Sequence, residues 1–176
     1  MEISVIAAQS IDGFIAKHEV PGSAFTSEAD KLHFRSILRT FDALIFGRLT
    51  YEAARATIRT RLTASLPRFV MTRSPQDWLA DAVDGQLEFT NDSPITLVNR
   101  LRARGFRRCA VLGGSQIHSL YLESGLIDTL ILTLEPCLFG QGVPLLHRQA
   151  DARLKLESAT RLPHSDSLLL TYRLIK

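Results

Sequence analysis

The chain has 176 residues, enough for one domain that buries its own apolar core without a disulfide or metal. Its apolar fraction of 45% and charged fraction of 22% are those of a globular protein and exclude a disordered chain. The 21 basic and 18 acidic residues leave a formal charge of +3, too slight for a nucleic-acid binder, although 17 of the basic residues are arginines, whose planar fork suits a small anionic ligand.

In chain order, Ile3 to Ala8 reads as a buried strand, and Gln9-Ser10-Ile11-Asp12-Gly13 opens a loop expected to run to about Ser23. Thr26 or Ser27 can cap a helix over roughly Glu28 to Thr40, with Leu32, Ile37, Leu38 and Phe41, and Phe34 nearby, as its inward stripe. A strand from Asp42 to Gly47 leads into a helix over Arg48 to Arg55, and Pro67 to Thr72 is a further strand. The segments around Trp78 and Leu87 to Phe89 carry weaker signals. A helix from Ile95 to Arg104 stops at Gly105, a strand from Arg108 to Leu112 enters Gly113-Gly114, and Ser115 to Glu123 is the next helix. Ile127 to Leu134, Leu154 to Arg161 and Leu168 to Ile175 are extended, the last two joined by the turn composition of residues 162–166. Alternating strands and helices followed by a strand-rich end predict an α/β fold with a mostly parallel sheet and an antiparallel edge, in a single domain over residues 1–176.

Cys109 and Cys137 each lie in an apolar run, which predicts buried thiols rather than a disulfide. The five histidines lack metal-ligand spacing, so no metal is expected. No apolar run approaches a membrane span and MEISVIAAQSIDG has no basic leader region, so the expectation is a soluble, cytoplasmic protein without a membrane partner.

Three strand exits carry the chemistry. At Val111-Leu-Gly-Gly-Ser-Gln-Ile117, a strand enters a helix through two glycines, so backbone N–H groups can approach an anion; the same pair also serves a plain tight turn. At Phe46-Gly-Arg-Leu-Thr50, Arg48 and Thr50 can grip a phosphate from one helical turn, or stand solvated and capping. At Thr72-Arg73-Ser74, an arginine between two hydroxyls suits an adenosine 2′-phosphate if the first two exits hold a pyrophosphate. Among acids, Asp12 can order its loop or meet substrate. Glu28 and Asp30 fall in a first helical turn, and Glu135 ends an apolar strand within reach of a pocket.

Taken in order, ISVIAAQSIDGFIA, DALIFGRLTYE, VLGGSQI and LILTLEPCLFGQGVPLL resemble the reductase domain of bacterial riboflavin biosynthesis, within the dihydrofolate reductase-like superfamily, over nearly the whole chain. The resemblance implies a three-layer fold that binds NADPH across the carboxyl ends of a central sheet. Ala7 and Ala8 then match backbone contacts to the nicotinamide carboxamide, with Ile15 of the Asp12 to Ile15 loop flanking the ring. Gly47, Arg48 and Thr50 match a phosphate grip, Thr72, Arg73 and Ser74 the adenosine ribose and its 2′-phosphate, and Gly113, Gly114, Ser115 and Gln116 the pyrophosphate turn. It implies hydride transfer to a C=N or C=O carbon of a small pyrimidine- or pterin-like heterocycle, in a homodimer whose apolar C-terminal strands contribute; Asp30 or ordered water is then the expected proton source, with Asp12 a second catalytic candidate. Riboflavin-pathway reductases typically carry an acid before the glycine pair, where this chain has Leu112. Dihydrofolate reductases have a Trp in the loop before the first helix, where this chain has Phe25. A dihydrofolate or pteridine reductase, and a dinucleotide-binding protein with little turnover, are the alternative readings.

Overall fold

A computed structural model describes residues 1–18 and 22–175. Its main sheet has eight strands in the order β5-β4-β3-β6-β1-β7-β10-β9. These are β1 (Glu2–Ser10), β3 (Ala43–Gly47), β4 (Arg68–Met71), β5 (Leu87–Thr90), β6 (Arg108–Val111), β7 (Thr129–Glu135), β9 (Arg153–Arg161) and β10 (Leu168–Ile175). The first six in that order pair in parallel, and β10 runs antiparallel to both β7 and β9. The expected architecture is therefore observed: a mostly parallel α/β sheet with antiparallel C-terminal strands, the dihydrofolate reductase-like fold.

Helices α1 (Glu28–Leu38), α2 (Arg48–Arg59), α3 (Pro94–Ala103) and α4 (Ser115–Glu123) cover the two faces. Period-2 alternation divides the core between them. Ala43 and Ile45 point with Ile3, Val5 and Val111 into the layer holding Leu97, Leu101, Ile117 and Tyr121 of α3 and α4. Leu44 and Phe46 point the opposite way, with Ile6 and Ala110, toward Tyr51 and the flanking Phe34, Ile37, Leu38 and Ile58 of α1 and α2. Strand β3, at the middle of the sheet, is buried at all five positions.

Several sequence expectations need correction. The stretch from Gln9 to Ser23 is not a continuous loop: β1 continues to Ser10, and β2 (Phe14–Lys17) pairs antiparallel with β8 (Gly142–Pro144) in a small second sheet. That pairing is between segments far apart in sequence, so local composition carries little sign of it. The part of this segment at residues 19–21 lies outside the described residues. Leu32 is not inward: it is 61% exposed, because at about 100° per residue it sits opposite the stripe of Phe34, Ile37 and Leu38. Helix α1 stops at Leu38 rather than Thr40, and α2 runs one turn past Arg55. The Trp78 segment is a 3-10 turn, Pro75–Trp78, and Leu87 to Phe89 is strand β5. Cys109 is buried, whereas Cys137 is only partly so. Among the described residues no helix is long and apolar enough to cross a membrane.

The division of the core predicts two contrasting alanine substitutions. Ile45→Ala, at a fully buried central position, should cost about 2 to 5 kcal/mol of unfolding free energy, and Leu32→Ala should stay within roughly 0.5 kcal/mol of the parent. Urea unfolding of both measures this; a Leu32→Ala loss comparable with that of Ile45→Ala would put Leu32 back in the core.

Candidate active site

Two strand-to-helix junctions meet at the carboxyl edge of the sheet. Strand β3 enters α2 through Gly47, and β6 enters α4 through Gly113 and Gly114. Because β3 and β6 are adjacent and parallel, the junctions lie side by side, joined by a bond from Gly47 N–H to Gly113 O at 2.7 Å. Gly113 needs to be glycine: its φ is +101°, and a Cβ there would stand 3.0 Å from His118 Nε2. The Gly113–Gly114 peptide is cis. A Cβ on Gly114 would meet little, with Thr50 Oγ1 at 3.5 Å the one atom within 4 Å, so the backbone here is open to an approaching group.

The helix starts differ in a way that bears on ligands. Helices α1 and α3 are capped by serines, Ser27 Oγ accepting from Asp30 N–H and Ser93 Oγ from Thr96 N–H. Helices α2 and α4 begin at glycines and have no side-chain cap, leaving first-turn N–H groups and the positive end of each helix to an external anion.

These junctions form part of a cleft of about 2230 Å³. Of the residues singled out from the sequence, it is lined by Ala7, Ala8, Ile15, Gly47, Arg48, Thr50, Thr72, Arg73, Ser74, Gly114, Ser115, Gln116 and Asp30. Gly113 and Asp12 do not line it. Arg73 is exposed and has no ion-pair partner among the described residues, so its charge is available. Arg48 is engaged: its Nη1 donates to Glu52 Oε2 at 2.6 Å across one helical turn. The i, i+4 spacing of Arg48 and Glu52 on one helix face is the sequence signal for this pair.

Asp30 is 8% exposed in the first turn of α1 and borders the cleft. Burial, the largest cause, raises its pKa from the ordinary value, and the charge of Glu135 adds to the rise; the hydroxyls of Thr133 and Thr26, and His33, pull the other way. Asp12 has a different surrounding. Its carboxylate accepts from Ser10 Oγ–H at 2.5 Å, from Gly140 N–H at 2.7 Å and from Phe139 N–H at 3.0 Å, and these bonds lower its pKa. It thereby ties the turn after β1 to the loop after β7.

Sequence reasoning gave no role to His118, which is 1% exposed on α4 and borders the cleft. Its Nδ1 lies 3.1 Å from Leu145 O, which can only accept, so this nitrogen carries the proton. Ser119 Oγ next to it accepts from His147 N–H and Arg148 N–H. Together they fasten the segment following β8 to α4. No local signal in the sequence announces this, because the partners are backbone groups far along the chain.

Comparison with known proteins adds an independent line. The family model for the RibD C-terminal domain matches residues 2–165. The chain is 28% identical over 156 residues to the Bacillus subtilis (strain 168) protein YwjB, covering 85% of this chain and 86% of that one. A structure of a putative riboflavin biosynthesis protein from Shewanella sp. PV-4 superposes with a TM-score of 0.76 at 23% identity, covering 100% of both chains. The Thermotoga maritima diaminohydroxyphosphoribosylaminopyrimidine deaminase/5-amino-6-(5-phosphoribosylamino)uracil reductase gives 0.78 at 15% identity, covering 99% of this chain and 56% of that one.

His118 provides a test of how the cleft wall is held. Burial depresses its pKa to about 4, against an ordinary 6.5. A histidine depressed in the folded state favours folding above its unfolded pKa and loses that contribution as pH falls through the folded value. Stability should therefore fall by roughly 2 kcal/mol from this group between pH 7 and pH 4.5. Urea unfolding of the parent and His118→Phe at both pH values should give a correspondingly smaller drop in the variant; equal drops would count against a buried neutral ring.

Proposed function

The chain belongs to the RibD C-terminal domain family, and on that premise we propose that it is an NADPH-dependent reductase acting on a C=N or C=O bond of a small pyrimidine- or pterin-like heterocycle, with residues 1–176 working as one reductase domain. The observation that carries the reading is the pair of uncapped helix starts, at Gly47 and Gly114, side by side on a cleft that also reaches a buried carboxyl. Ligand pockets for one small molecule commonly run to about 300–1,000 Å³. A cleft of about 2230 Å³ has room for a dinucleotide and a second ligand together.

The residues present suit the dinucleotide. The open Cα of Gly114 and the first-turn N–H groups of α2 and α4 would receive the pyrophosphate, with Thr50 adding a hydroxyl. Arg48 would exchange its exposed partner Glu52 for a phosphate, a small loss since a surface ion pair contributes little. Thr72, Arg73 and Ser74 would take the 2′-phosphate, and Ala7, Ala8 and Ile15 would border the nicotinamide. When bound, the nicotinamide supplies a hydride. The protein's part is to hold the acceptor carbon near it, to exclude water, and to supply a proton to the substrate heteroatom as negative charge develops there. Asp30 is the group we assign as that acid, since it borders the cleft from the first turn of α1 and burial raises its pKa. Asp12, committed to Gly140 and Phe139, acts in ordering the loop.

The cofactor assignment is tested at Arg73. NADPH should bind more tightly than NADH, and Arg73→Ala should remove about 1.5 to 3 kcal/mol of NADPH binding while leaving NADH nearly unchanged. Titrations of both cofactors at one ionic strength measure this, with oxidation of NADPH over a panel of pyrimidines and dihydropterins as the test of turnover. Equal affinities of the parent for the two cofactors would remove the 2′-phosphate role.

A second copy of the chain belongs to the same reading. All nine residues of β9 are exposed, and β9 ends the main sheet, so its outer backbone groups are unpaired by any strand. Leu154, Leu156 and Leu168 are exposed by 40%, 50% and 43% on these last strands. An open edge with exposed leucines on its outer two strands invites association, and we propose that a homodimer covers it. Leu156→Glu should shift the sedimentation of a dimeric parent to that of a monomer with unchanged circular dichroism; a monomeric parent would end this part of the proposal.

A further inference from the structure

Asp81 lies in the segment between β4 and β5 and is 6% exposed, held by a stripe of α2 that does not line the cleft. Tyr51, Arg55 and Arg59 recur every four residues, so they stand on one side of that helix. The fully buried Tyr51 donates its hydroxyl proton to Asp81 Oδ2 at 2.9 Å, Arg55 Nη2 donates to Oδ1, and Arg59 Nη1 donates to the Asp81 carbonyl oxygen at 3.1 Å. Three successive turns of one helix therefore close on one residue. A buried carboxylate is costly without such partners, and hydrogen bonds to an ionised acceptor are among the stronger ones.

What Asp81 ties down is the far end of the loop that carries Arg73. The near end is fixed at the edge of the sheet, where Thr72 N–H donates to Thr90 O at 2.9 Å. Beyond Arg73, Ser74 O accepts from Asp77 N–H at 3.2 Å within the turn Pro75–Trp78, and Asp81 N–H donates to Trp78 O at 3.0 Å. Trp78 stacks on Phe89 with 5.5 Å between ring centroids and meets Tyr51 edge-on at 5.7 Å, so the same tyrosine holds the turn and Asp81 together. Arg73, Ser74, Asp77 and Trp78 line the cleft, as do Arg48 and Thr50 of α2. One helix thus presents its uncapped start to the cleft and grips, with another face, the segment bearing a guanidinium that has no ion-pair partner among the described residues.

We infer that Asp81 is a positioning residue for Arg73: through Tyr51, Arg55 and Arg59 it fixes the loop of residues 72–78 against α2, so that this cation and the helix start face the cleft at a set separation. The use of the tie deepens the proposed cofactor reading and rests on it, since a phosphorylated dinucleotide carries its 2′-phosphate and its pyrophosphate at a limited spacing. The tie itself does not depend on that reading. A long side chain ordered only on binding subtracts from affinity, whereas one whose loop is already held has less freedom left to lose. Asp81 does not line the cleft, so it acts on a ligand only through Arg73.

Trp78 is the chain's single tryptophan, so tryptophan fluorescence reports on this segment alone. Asp81→Asn removes the charge that Arg55 and Arg59 meet, and Tyr51→Phe removes the buried hydroxyl. In each variant of the full chain, acrylamide should quench Trp78 more readily than in the parent, with circular dichroism unchanged. Calorimetric titration then reads the consequence: Asp81→Asn should lower NADPH affinity by about 2- to 10-fold, the effect of ordering one long side chain, and leave NADH nearly unchanged. On an Arg73→Ala background the same substitution should leave both affinities where they were, because the residue through which Asp81 acts is gone. Parent-like quenching of Trp78 would overturn the tie, and if one variant fails to fold the other carries this measurement. An equal loss of NADPH and NADH affinity, or a loss that persists on the Arg73→Ala background, would make Asp81 a bridge for the whole cleft and overturn the inference. Equal affinities of the parent for the two cofactors would instead remove the 2′-phosphate role of Arg73, and with it Asp81's part in cofactor choice, while Trp78 quenching still decides the tie.

Discussion

The bond from Gly47 N–H to Gly113 O is the contact around which the cleft is arranged. It joins the exits of two adjacent parallel strands, and each exit starts a helix without a side-chain cap. Parallel pairing makes this possible, since it sends both chains out of the same edge and points both helix starts into one space. A serine at Gly114 could cap α4 internally, as Ser27 and Ser93 do for α1 and α3, and would take room in which an anion can sit, whereas a Cβ at Gly47 would stand 2.9 Å from Ile117 Cγ1. The cleft is built as much by withholding caps as by supplying side chains.

The remaining elements fix the walls around that contact. Gly113 is held from behind by His118, which in turn holds the carbonyl of Leu145. Leu145 N–H donates to Gly13 O, and Asp12 clasps Phe139 and Gly140, so the small β2–β8 sheet is tied to β1, the loop after β7 and α4 at once. On the opposite side, Glu135 and Ser27 fix α1 against β7. Each tie pairs a side chain with groups remote in sequence.

That remoteness decides what was legible in the chain. The α/β order, the central strands and three helix starts followed from local pattern, because apolar period, capping residues and glycine stops are encoded within a few neighbours. The strand exits at Gly47, Thr72 and Gly113 were visible for the same reason, and Asp30 and every expected cofactor contact except Gly113 border the cleft, while the other acids named from the sequence, Asp12, Glu28 and Glu135, do not. Leu32 was misread because a helix of eleven residues has apolar positions enough for more than one stripe, and only packing against β3 selects the one containing Phe34 and Ile37. Strand β2, the ring of His118 and the donors around Glu135 were hidden, since each depends on a partner more than twenty residues away.

The distribution of acids across the cleft bears on what the substrate must offer. Leu112, before the glycine pair, presents hydrocarbon to the cleft at a position where riboflavin-pathway reductases typically carry an acid. In this chain the carboxyls stand elsewhere, with Asp30 at the cleft and Glu135 behind it. On the proposed reading, a substrate here would meet an apolar surface beside the glycine turn and the buried carboxyl of Asp30 on α1. Buried polar groups without partners are penalised, so on that reading a heterocycle would turn an unsubstituted edge to Leu112 and a hydrogen-bonding nitrogen or oxygen to Asp30. The proposed recognition and proton supply would then fall to one side chain, whose backbone N–H is held by the Ser27 cap, so the anchoring of α1 bears on both.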